Sequence, residues 1–136
     1  FKKMIRSNFL LNLFISGIIV WSITFFPAIP LFKIFGGNIV FFRAIMDSLI
    51  AFSVFSGWLF YTRNIDAPDL KIFVQTCITW IFICLILDYL SFIVGLDMHW
   101  KKYLMEVASG YILIPIILSG LYLSRNVHKK PYKTKL

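Results

Sequence analysis

The sequence predicts an all-α polytopic membrane protein: one domain over residues 1–136, a bundle of four transmembrane helices with both termini cytoplasmic. Composition is the first of three observations behind that reading. Of the 136 residues, 60% are hydrophobic and 15% charged, whereas about a quarter are charged in ordinary soluble domains. The second is segmental: apolar stretches at 9–32, 39–61, 72–96 and 103–123 alternate with short polar breaks, and each meets or approaches the ~20 residues that cross a ~30 Å hydrocarbon layer. The third is the placement of charge. Lys2, Lys3, Arg6, Arg63, Lys71, Arg125, Lys129, Lys130, Lys133 and Lys135 fall on one side of this arrangement, and only Lys33, Arg43, Lys101 and Lys102 on the other. The positive-inside rule therefore puts both ends and the 62–71 loop in the cytoplasm. The basic tail 124–136 is then placed to lie on anionic lipid.

The first span opens like a secretory signal, with basic residues before an apolar run. The run continues through Phe25 and Phe26 to Pro27 and Pro30 without a small-residue cleavage pattern, so it reads as a retained helix. Asn8, Asn12 and Ser16 recur at intervals of four along it. In the second span Ala44 and Ser48, then Ser53 and Gly57, form small-xxx-small pairs of the kind that let helix backbones approach in lipid. The third carries Cys77, Cys84, Asp88, Ser91 and Gly95 at heptad-like spacing, a predicted helix-packing face. Its two cysteines are seven residues apart, about 10 Å along a helix, too far for the ~7 Å reach of a disulfide. The fourth has Ala108, Ser109 and Gly110 before an expected kink at Pro115, whose ring removes the bond to the Tyr111 carbonyl. Trp58, Tyr61 and Tyr122 at one boundary, with Tyr89, Trp100 and Tyr103 at the other, fit interfacial aromatic belts.

Ionisable residues at membrane depth are the informative departures, because each costs ~2.5–3.5 kcal/mol even on the mildest insertion scale. Arg43 and Asp47 are four apart on the second span, where an ion pair cancels most of their charge. Asp88 and Glu106 join them in the outer half of the bilayer, with His99, Lys101 and Lys102 in the loop above. This polar cluster has two readings, a self-neutralising structural network or an ion, proton or substrate site. No metal or cofactor is expected: His99 and His128 fall on opposite sides of the membrane, and no fixed-spacing ligand motif is present. Nucleophile elbow, HExxH and phosphate-loop patterns are also missing, so an enzyme is not expected. Nucleic-acid binding is not expected either, for want of interleaved basic and aromatic residues on a folded surface.

The segment Phe60-Tyr61-Thr62-Arg63, followed by Pro68 and Ile72, resembles the second inner loop of the small bacterial membrane proteins grouped as the domain-of-unknown-function 2569 family. Ile114-Pro115 and then Ser124-Arg125-Asn126-Val127-His128-Lys129 are similar to that family's closing pattern, with Asn126 where the pattern has arginine. The resemblance covers about half the chain and implies a four-span bacterial inner-membrane protein, without an activity.

Three function classes follow. The leading expectation is a non-catalytic subunit or accessory protein that holds a larger membrane assembly through its small-residue faces, with other transmembrane subunits or a second copy as partner. A small oligomeric transporter or channel using Asp47, Asp88 and Glu106 is the alternative. A third is an inner-membrane protein of the bacteriocin-immunity type. The expected location is the cell inner membrane, although an organellar inner membrane would impose a similar composition.

Overall fold

The computed structural model describes the backbone of residues 2–35, 37–63, 65, 68–95, 97 and 99–127, and within these the side chains of all but 2–7, 39, 102 and 106. Helix α1 spans Lys2–Phe35, α2 Ile39–Thr62, α3 Leu70–Asp88, α4 Trp100–Glu106 and α5 Leu113–Val127. A π-helical segment, Tyr89–Val94, continues α3, and a 3-10 segment, Ala108–Ile112, leads into α5. Among the described residues, four helical stretches are long and apolar enough to cross a membrane: Asn8–Phe35, Val40–Thr62, Leu70–Val94 and Tyr103–Val127. These lie within a few residues of the sequence-predicted spans. Large apolar side chains such as Phe26, Phe52, Phe82 and Ile112 are exposed on the outside of the bundle. Helices apolar on every face suit a bilayer rather than water.

Local chemistry explains where the helices begin. Asn38 caps α2 by accepting from the Phe41 N–H at 3.2 Å, and Asp69 caps α3 by accepting from Ile72 at 2.8 Å. His99 does the same for α4, its Nδ1 accepting from Lys101 at 3.3 Å. Each supplies one of the acceptors that a helix's first turn lacks. Helix α1 runs through Pro27 and Pro30 without a break.

Neighbours around the bundle are ordered α1, α2, α5, α3, so α2 and α3, although consecutive, stand diagonally opposite. One end brings Phe9 to Tyr61 and Phe73 to Tyr122, with ring centroids 5.5 and 5.3 Å apart. At that end Arg125 of α5 donates two hydrogen bonds to the Thr62 carbonyl, at 3.3 and 3.4 Å, satisfying an end carbonyl of α2. The other end pairs Phe35 with Phe41 and Phe32 with Phe42 across the α1–α2 turn.

Trp80 sits at the centre of the core, fully buried. Its indole N–H donates to Ser16 Oγ at 3.1 Å and lies 3.3 Å from the Leu13 carbonyl. Two glycines make room for it. A Cβ on Gly17 would lie 2.6 Å from Ile83 Cδ1 and 3.0 Å from Trp80, and one on Gly57 would collide with Val20 and meet Trp80 at 3.1 Å. Ser53, one turn from Gly57, shares a 3.0 Å hydrogen bond with Thr24 across the same interface. Of the two small pairs on α2, Ser53 and Gly57 thus face α1 and α3, while Ala44 and Ser48 are exposed.

Candidate functional site

Asp88 is the only acidic side chain buried in the core among the described residues, 1% exposed. Three donors from three parts of the chain converge on it. Trp21 Nε1 of α1 donates to Oδ1 at 2.7 Å, Tyr103 of α4 donates its hydroxyl to Oδ2 at 3.3 Å, and Tyr111 of the 3-10 segment donates to the same oxygen. Burying a polar group in an apolar medium is costly unless it is hydrogen-bonded, and both Asp88 oxygens are satisfied, unlike the buried Trp58 indole N–H and Tyr61 hydroxyl, which find no partner among the described residues. The Cys84 thiol lies one turn before Asp88 on α3 and is itself buried.

Two of the segments that build this node leave α-geometry beside it. The π segment starts at the residue after Asp88, with Gly95 N–H bonding to the Leu90 carbonyl, five residues back, at 3.0 Å. The 3-10 segment shows the tighter pattern, Gly110 N–H to the Val107 carbonyl at 3.1 Å. Gly110 is a weak helix former and Ser109 competes for backbone hydrogen bonds, while Pro115 deprives the Tyr111 carbonyl of its α-helical donor. The break therefore falls one turn before Pro115. It swings Tyr111 inward. The π segment in turn sets Phe92 against Phe25 and Tyr103, at 5.5 and 6.2 Å. π-bulges and discontinuous helices recur at functional sites of membrane and soluble proteins.

Among the described residues, the other charged side chains do not join Asp88. Arg43 donates to Ser109 Oγ at 3.0 Å, and no carboxylate of a described residue pairs with it, Asp47 included. The expected ion pair with Asp47 is replaced by this bond because the 3-10 segment brings Ser109 alongside α2. Asp47 borders the same segment: a Cβ on Gly110 would lie 3.6 Å from its Oδ1. Ser109 in turn donates to the Met105 carbonyl at 2.9 Å. Glu106 closes α4, and its side chain lies outside the described residues. Arg43, Ala44, Ser48 and Ser109 are all exposed, a polar and small strip on otherwise apolar helices.

Along α3, Cys77 and Cys84 are free thiols turned into the bundle's own core. Ser91 is half-buried and bonds back to the Leu87 carbonyl at 2.8 Å, while Gly95 is exposed, with its own Ser91 carbonyl 2.6 Å from where a Cβ would sit. Among the described residues no three His, Cys, Asp or Glu side chains gather as a metal site would require.

Sequence reasoning missed Trp21, Tyr103 and Tyr111. Tyr103, assigned to an interfacial belt, is fully buried and turned toward Asp88. Trp58 and Tyr61 are likewise inside the bundle, whereas Tyr89 and Trp100 are exposed and packed edge to face at 6.2 Å. A signal was present in Trp21 and Trp80. A tryptophan in the middle of a span must find an acceptor for its N–H away from the headgroups. No protein-family model, curated protein or solved structure matches this chain.

Proposed function

We propose that this chain is a non-catalytic, multi-pass subunit of the inner membrane that assembles laterally with other transmembrane protein through the outer half of α2 and the last span. Both ends and the loop from Arg63 to Lys71 face the cytoplasm in this reading. Arg43 carries it. The guanidinium is exposed within the apolar Val40–Thr62 stretch, yet it turns to a neutral hydroxyl well inside the last span. A cation costs about 2.5–3.5 kcal/mol at a membrane helix's centre and less toward its ends; Arg43 stands one turn inside the start of α2, and no described carboxylate neutralises it. A carboxylate or carbonyl from a neighbouring helix would. Ala44 and Ser48 leave that helix room to approach, since packing supplies most of the driving force in lipid. The resemblance to small four-span bacterial proteins belongs to the same proposal.

Cysteine crosslinking in native membranes tests it. A Ser48→Cys variant should yield a discrete larger species, and Ile78→Cys, on exposed α3, should not. Arg43→Ala should abolish the Ser48 product. Equal crosslinking at both positions would refute lateral assembly through α2.

One observation favours a second reading, a proton-handling role: Asp88 lies between two hydroxyls at the meeting of two non-α segments. Liposomes holding the purified chain should then dissipate a pH gradient, and Asp88→Asn should stop them. The subunit reading expects no dissipation by either.

A further inference from the structure

The cytoplasmic end proposed above holds a cleft of about 260 Å³ between the start of α1 and the end of α2. Its polar lining is Asn8, Asn12, Arg63 and Tyr61, whose hydroxyl has no partner among the described residues, and the rest is Phe9, Phe60 and Ile65. Among the described residues no acidic side chain lines it. Arg63 is the cap residue of α2, and its guanidinium carbon stands 4.7 Å from the centre of the Phe60 ring. That stacking holds the charge over the cleft without neutralising it, and no carboxylate of a described residue pairs with it. Asn8 and Asn12 project from one face of α1, exposed, and neither side chain bonds to another described residue.

We infer that this cleft binds the phosphoryl headgroup of an anionic phospholipid. A guanidinium and two amides present only donors and amphoteric groups, which suits a phosphodiester and repels nothing in it. The aromatic remainder suits the glycerol and the first acyl carbons. The cleft also opens at the end of bilayer-length apolar helices, where a headgroup lies. Basic pockets between transmembrane helices on the cytoplasmic side have this composition. The cleft discriminates against a zwitterionic lipid. Its described lining offers no carboxylate for a choline, and the Phe60 face that would hold a quaternary ammonium is taken by Arg63. Arg125, the other arginine at this end whose side chain is described, is engaged with the Thr62 carbonyl and serves structure instead.

The full chain in mild detergent, titrated with phosphatidylglycerol or phosphatidylcholine and read by native mass spectrometry, tests this. Phosphatidylglycerol should be retained at one molecule per chain and phosphatidylcholine should not. Arg63→Gln should weaken retention roughly fivefold, the worth of one basic residue at a membrane surface, and Arg63→Lys should keep most of it. Asn12→Leu, which leaves the charge in place, should weaken it about twofold to threefold through a lost hydrogen bond. Lys33→Gln, at the opposite end, should have no effect. Retention unchanged in both Arg63→Gln and Asn12→Leu, or equal retention of the two lipids, overturns the site. Displacement of the lipid by millimolar inorganic phosphate would overturn the lipid assignment in favour of a free anion.

Discussion

Tyr111 donates its hydroxyl hydrogen to the buried carboxyl of Asp88, twenty-three residues earlier in the chain, and so ties the broken start of the last span to the end of the third. Trp21 and Tyr103 complete the attachment, and one side chain thereby holds α1, α3 and α4 together with the turn into α5.

Removing the acceptor should cost more than removing a donor. Asp88→Leu leaves a Trp N–H and two Tyr hydroxyls without their partner and should destabilise the fold by about 3 kcal/mol. Tyr111→Phe should cost about 1–2 kcal/mol, the upper part of the range for hydrogen bonds inside membranes. Adding Tyr111→Phe to Asp88→Leu should cost little more, because the bond is already gone. Reversible unfolding in mixed micelles measures all three, and additive losses would show that the two residues act independently.

Glycine substitutions should sort by what surrounds them. Gly57→Ala drives a methyl into Val20 and Trp80 and should destabilise by about 1–3 kcal/mol. Gly120→Ala meets nothing within 4 Å and should be neutral or slightly stabilising in the helix. The same unfolding assay checks the pair; a neutral Gly57→Ala would mean that Trp80 has another place to go.

Topology can be read without first removing the native cysteines, since Cys77 and Cys84 are 8% and 1% exposed and shielded from a bulky thiol reagent. In intact cells an impermeant maleimide should label Gly37→Cys. It should miss Asn126→Cys until the membrane is opened. Labelling of Asn126→Cys in sealed cells would invert the assignment and move the Arg43 strip to the inner half.

Arg43 and Ser109 should behave as partners in the isolated chain and unequally in the assembly. Ser109→Ala and Arg43→Ala should each change unfolding stability by under about 1 kcal/mol, as for other exposed polar contacts. Only Arg43→Ala should shift the native particle to monomer mass in light scattering. If Ser109→Ala produced the same shift, the hydroxyl and not the charge would be the contact with the partner.

The four spans were legible because apolar runs of bilayer length have few alternatives, while the caps Asn38 and Asp69, whose signals depend only on residues nearby, went unread. The node was half legible. Asp88 announced itself as an acid in an apolar helix, but Trp21 meets it across sixty-seven residues, and that pairing depends on the ring order of the helices. That order is set by which faces fit together, and small residues alone do not reveal it. Ala44 with Ser48 and Ser53 with Gly57 have the same pattern, yet one pair is outside and the other is packed against α1 and α3. Arg43 and Asp47 were paired on helical spacing, which holds when nothing else competes. The 3-10 segment brought a competitor, Ser109.

The order in which donors reach Asp88 also bears on biogenesis. A nascent chain that has inserted only its first three helices offers the carboxyl a single donor, Trp21, and both tyrosines arrive later with the final hairpin. Until then an acid stands open on a helix face, a mark by which membrane quality control can tell an unfinished chain from a finished one. Truncation before Tyr103 should therefore shorten the lifetime of the first three helices in the cell, and the same truncation carrying Asp88→Leu should restore it.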